Sequence, residues 1–76
     1  MRIRVTDNEG KARGNAKIQV FFLGEKVHEG KTDQEGVLIV DDTIRDKEYK
    51  VAVLGEKRKD TRWFRAKGGA VNDLVV

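Results

Sequence analysis

The run Lys57-Arg58-Lys59-Asp60-Thr61-Arg62-Trp63-Phe64-Arg65-Ala66-Lys67 carries six basic residues and two aromatics in eleven positions. Lysine and arginine neutralise phosphates, and aromatic rings stack on unpaired bases, so this mixture suits single-stranded nucleic acid or another polyanion. The same run also reads as an ordinary strand with a basic outer face and one ring in the core. Trp63 and Phe64 are adjacent, and successive side chains of a strand point to opposite faces, so one ring is expected inside and the other outside. Lys57, Arg58, Lys59, Arg62, Trp63, Arg65 and Lys67 are the candidate binding residues.

Catalysis has less to work with. His28 is the only histidine, and the sequence contains neither cysteine nor serine. A catalytic histidine needs a nucleophile and an orienting partner in reach, and no cysteine or serine is there to serve as the nucleophile. Thr6, Thr32, Thr43 and Thr61 all sit in stretches that read as turn or strand. One histidine without cysteine gives no zinc set. Asp41, Asp42, Asp46 and Glu48 offer oxygen ligands, but they lack the alternating spacing of a calcium loop, and Arg45 and Lys47 stand among them. The pairs Asp7/Glu9 and Asp33/Glu35 lie beside glycines, where short carboxylates bond their own backbone and hold turns. No catalytic residue, metal site or cofactor is expected, and the chain reads as a non-enzyme.

The elements that must position these residues are short. The chain has 76 residues and no cysteine, which allows one domain over 1–76 with a thin core and no disulfide. Its net charge is +3, from 16 basic and 13 acidic residues, so most of the surface is of mixed sign. A strand pattern begins directly after Met1, and no apolar stretch approaches the roughly 18 residues of a membrane span. The expectation is a chain with no signal peptide and no membrane segment, cytoplasmic if Met1 is the native start.

Apolar residues recur with period two. Ile3 and Val5 share one face of a strand over 2–6; Ala16, Ile18, Val20 and Phe22 share one face of the next. Gly24-Glu25 reads as a two-residue type II′ hairpin loop, and 26–32 as a charged edge strand. Thr32-Asp33-Gln34-Glu35-Gly36 is a turn feeding Val37–Val40, with a near twin in Thr6-Asp7-Asn8-Glu9-Gly10. Tyr49, Val51 and Val53 line another strand. Gly55-Glu56 repeats the hairpin device, and Gly68-Gly69 suits an I′ hairpin leading to a last strand over 70–76. Nothing shows a capped helical period. Seven short strands with frequent turn signals describe a β-sandwich.

Three fragments stand in a telling order: Ile3-Arg4-Val5-Thr6-Asp7-Asn8-Glu9-Gly10 followed by Asn15-Ala16-Lys17-Ile18-Gln19-Val20, then Lys31-Thr32-Asp33-Gln34-Glu35-Gly36-Val37-Leu38-Ile39, then Tyr49-Lys50-Val51-Ala52-Val53. Together they resemble the carboxypeptidase regulatory-like domains, which are transthyretin-like (prealbumin-like) Greek-key sandwiches. The match runs to about Val53. Arg45-Asp46-Lys47-Glu48 stands where that family usually has Pro-Gly, and the glycine before the Ala strand is displaced to Gly14. The resemblance implies a non-enzymatic module, often appended to a larger protein. The transthyretin-like hydrolases of purine breakdown need several histidines and a Tyr-Arg-Gly-Ser ending. This chain ends Asp73-Leu74-Val75-Val76 instead.

The expected fold is therefore an all-β, seven-stranded antiparallel Greek-key sandwich of immunoglobulin-like or transthyretin-like type. The first functional expectation is an interaction or structural module that contacts a protein partner or a parent assembly. The second is a small nucleic-acid or polyanion binder that uses the strand over 57–67. Phe21, Leu23 and the tail Leu74-Val75-Val76 leave room for a homo-oligomer, while a membrane partner is not expected.

Overall fold

In the computed structural model of the chain, which describes residues 1–55 and 60–76, seven strands form two sheets. They are β1 (Arg2–Thr6), β2 (Lys17–Phe22), β3 (Glu25–Lys31), β4 (Val37–Ile39), β5 (Glu48–Leu54), β6 (Arg62–Lys67) and β7 (Val71–Val75). One sheet has the order β4-β1-β7 and the other β3-β2-β5-β6. The β2–β3 and β5–β6 connections stay within the larger sheet; the others pass from one sheet to the other. No helix among the described residues is long and apolar enough to cross a membrane.

The period-two pattern gives the core directly. Ile3, Val5, Ile18, Val20 and Val51 are fully buried between the sheets, joined by Val40, Tyr49, Val53, Ala66 and Leu74. Phe22, Leu38 and Phe64 pack against this cluster while remaining partly exposed. Leu74 belongs to the core, so the terminal apolar run is not a free surface as a whole. Val75 is turned to solvent, as is Val71 at the start of the same strand.

The antiparallel expectation holds for every pair except one. β1 and β7 run parallel, in register from Arg2↔Val71 to Thr6↔Val75. No hairpin joins them, as a parallel pair requires: β7 enters its sheet from the opposite layer. For the same reason Gly68-Gly69 is not a hairpin loop. It carries the chain between sheets, and Gly68 bonds the β4–β5 connection instead, donating to the Lys47 carbonyl (2.9 Å) and accepting from the Asp46 N–H (3.0 Å). A Cβ at Gly68 would collide with the Ile44 carbonyl.

The β2–β3 hairpin loop is Leu23-Gly24, one residue earlier than Gly24-Glu25, because Phe22 pairs with Glu25. Both loop residues have positive φ, 51° and 85°. This is the type I′ arrangement and not II′, with glycine in its second position. Val27 is an extra residue in β3: Val20 faces His28, and Phe21 faces Lys26. The bulge and the charges of Lys26 and Glu29 shield that edge from further pairing. The corresponding device at Gly55-Glu56 lies partly outside the described residues.

The twin turns are the same structure built twice. Asp7 Oδ1 accepts from the N–H groups of Glu9 and Lys11, both at 2.9 Å. Asp33 Oδ1 accepts from Glu35 (2.8 Å) and Val37 (3.0 Å). Each aspartate carbonyl also accepts from the glycine three residues on, at 3.0 Å. Thr32 ties the second turn to the β1–β2 connection. Its buried hydroxyl accepts from Ala16 N–H (2.8 Å) and donates to the Arg13 carbonyl (2.7 Å).

Candidate functional site

β6 is an outer strand of the larger sheet, paired with β5 alone. Alternation along it sends Phe64 and Ala66 inward, opposite Val51 and Tyr49, and sends Trp63, Arg65 and Lys67 outward. Of the two adjacent rings, Phe64 packs on the core and Trp63 is 59 % exposed. Arg62 is exposed at the start of the strand. Lys57, Arg58 and Lys59, the other half of the basic run, lie outside the described residues. The strand begins at Arg62, so Asp60 and Thr61 are connection and not strand.

Trp63 does not stand alone on that face. Its ring meets Phe21 of β2 with centroids 5.4 Å apart and planes inclined at 45°, reaching across β5 between them. Aromatic pairs at this spacing and tilt contribute about 0.5–1.5 kcal/mol beyond the area they bury. Ala52 alternates outward from Val51 and Val53, with Trp63 beside it in register, yet it is fully buried. A small side chain in the middle strand lets the two larger rings close over it.

Basic groups border the pair. Lys50 lies in register with Arg65 on one side and Phe21 on the other. Lys50, Trp63, Phe64 and Arg65 line one shallow hollow at the β6 edge. Phe21, Leu23, Gly24, Glu48, Lys50 and Trp63 line a second hollow. Acidic groups temper the charge. Arg65 Nε lies 3.6 Å from Glu48, and Lys26 bonds Glu29 at 2.9 Å. The Glu29 carboxyl is held below its ordinary range by its hydrogen bond from Lys26, then by that from Gln19.

The free edge of β6 is closed at one end. The Asn72 side-chain amide accepts from Lys67 N–H (3.0 Å) and donates to the Lys67 carbonyl (3.1 Å), and it also reaches the Ala70 carbonyl (3.3 Å). Sequence reading did not find this contact, because it joins strands of different sheets through a turn that resembled a hairpin.

His28 is half-buried on β3, the far edge of the same sheet. Among the described residues no three His, Cys, Asp or Glu side chains gather where they could hold an ion. The Asp41–Glu48 carboxylates are exposed around a connection organised by Tyr49, whose buried hydroxyl accepts from Ile44 N–H at 2.7 Å. The Tyr49 ring also lies 4.7 Å from that of Phe22. No protein-family model matches the chain, and no curated protein is significantly similar to it.

Proposed function

We propose that this chain is a non-catalytic interaction module, a Greek-key sandwich of the carboxypeptidase regulatory-like, transthyretin-like kind, and that it meets a protein partner or parent assembly through β6 and the basic run before it. The observation that carries this reading is Trp63. A large apolar ring is kept at the surface, braced by Phe21, and bordered by Lys50 and Arg65 on an outer strand. Exposed tryptophan with arginine beside it is the composition of contact centres between proteins. The single histidine and the lack of cysteine and serine support the non-enzymatic part.

A second reading keeps the surface and changes the ligand. The Phe21–Trp63 pair among cations favours a nucleic acid or another polyanion, with bases stacked on Trp63 and phosphates on Lys50, Arg65 and Lys67 of the same face. Trp63 is the only tryptophan, so its emission reports the surface directly. The test titrates it with polyglutamate, oligothymidylate and heparin at several salt concentrations. The protein-contact reading expects the polypeptide to be preferred. The polyanion reading expects the oligonucleotide or heparin to win, with affinity falling steeply as salt rises. A Trp63 emission indifferent to all three would end the assignment of β6 as the contact surface.

A further inference from the structure

The backbone of β6 alternates between groups that bond β5 and groups that face away from the sheet. Lys67 fixes the phase: its N–H and C=O are both taken by Asn72, on the side away from β5. The β5–β6 register runs without a shift from Glu48↔Lys67 to Val53↔Arg62. In an antiparallel ladder the outward residues are then every second one, so Arg65 and Trp63 also turn their N–H and C=O to the free edge. Among the described residues, nothing bonds these four groups.

We propose that this edge accepts an extended acidic segment of a partner protein as an added strand, with Asn72 as its permanent first rung. The Asn72 amide presents to Lys67 one acceptor and one donor, as a peptide group of a neighbouring strand would. A segment laid beside Arg65 and Trp63 continues that ladder by bonding four groups that otherwise face water.

The chemistry of the segment follows from what borders the edge. Its outward residues would lie next to Trp63, Arg65 and Lys67, with Lys50 in the row behind, and carboxylates suit them. Its inward residues would lie next to Phe64, which is packed on the core but partly exposed, and apolar side chains suit that place. The partner thus alternates acidic and apolar residues. A second copy of this chain is a poor occupant, because β6 against β6 would set Arg62, Arg65 and Lys67 against the same cations. Nucleic acid is also less suited. Phe21 leans on Trp63 and leaves one ring well exposed for a base to stack on, whereas an added strand also bonds the edge N–H and C=O groups of Trp63 and Arg65.

This inference rests on reading β6 as the contact surface, and the experiment separates the two. The native chain is titrated with three probes: an end-blocked peptide of about eight alternating glutamates and valines, a peptide of the same charge interrupted by prolines, and an oligothymidylate of similar charge. Trp63 emission follows binding, and amide hydrogen exchange follows the edge. The alternating peptide is expected to bind best and to slow exchange at Trp63 and Arg65 by about tenfold or more at saturation, leaving Phe64 unchanged because its N–H already bonds β5.

Arg65→Pro removes one edge N–H that points off the sheet, so it is expected to fold and to lose the peptide, whereas Arg65→Gln only weakens it. If Arg65→Pro does not fold, the exchange pattern of the native chain decides alone. Binding of the proline-interrupted peptide or the oligothymidylate as tightly as the alternating peptide, or binding without protection of Trp63 and Arg65, overturns strand addition while leaving β6 as a charged contact surface. No response to any probe overturns both.

Discussion

Asp7 and Asp33 close their turns with the same bonds, each Oδ1 accepting from the amides two and four residues on, yet the glycines that complete the two turns sit in opposite surroundings. Gly10, with φ of 84°, has nothing within 4 Å of where a Cβ would stand. Gly36, with φ of 77°, is buried, and its Cβ would lie 2.5 Å from the Val5 carbonyl oxygen. Val5 N–H donates to the Gly36 carbonyl at 2.7 Å, so neither backbone can withdraw.

Gly10→Ala should therefore cost only the left-handed backbone penalty, about 1 kcal/mol. Gly36→Ala adds a backbone collision in the interior and should cost roughly 3 kcal/mol or more. Urea unfolding of the two variants side by side measures the difference. Equal losses would show that the second turn is no more tightly held than the first.

Thr32→Val keeps the shape of a buried side chain and strips its hydroxyl. Ala16 N–H and the Arg13 carbonyl both lose that partner, at a cost of about 1–3 kcal/mol. Thr32→Ser should recover most of it. A valine variant as stable as the parent would mean that water takes over both bonds.

Tyr49→Phe removes the acceptor of the Ile44 N–H and leaves the ring in place against Phe22. The expected loss is about 1 kcal/mol, with faster hydrogen exchange confined to Ile44 and its neighbours. Unchanged exchange at Ile44 would remove the tyrosine hydroxyl from the account of that connection.

Leu23 is 88 % exposed in a backbone conformation that suits asparagine or glycine better. Leu23→Asn should raise stability by about 0.5–1 kcal/mol. A loss instead would place the leucine in useful contact with the neighbouring Phe21 hollow.

Much of this fold is written locally. Alternation in Ile3/Val5, Ile18/Val20 and Tyr49/Val51/Val53 names most of the core, and the Asp…Gly spacing names both twin turns, because each depends on neighbours in sequence. What local pattern does not hold is which strands meet. Gly68-Gly69 has the composition of a hairpin, but its glycines serve close approach to Ile44 and Arg45 in a sheet-to-sheet crossing. Leu23 sits where turn chemistry calls for asparagine, so the loop register is read one residue late. The candidate surface was legible as a composition in the Lys57–Lys67 run. Its working parts, the Phe21 brace and the Asn72 rung, come from β2 and β7 and are distant in sequence.

The parallel pairing of β1 with β7 has a mechanical consequence. Arg2 lies beside Val71 and Thr6 beside Val75, so the chain enters the smaller sheet at one pole of the sandwich and leaves it at the other, about 13 Å away along the strands. Tension drawn through the two ends slides β1 and β7 past each other and strains their whole ladder at once, where an antiparallel terminal pair would peel open one bond at a time. Single-molecule pulling on the two ends should meet a resistance set by shear, and it should fall when Val5 or Leu74 is cut back to alanine beneath that ladder.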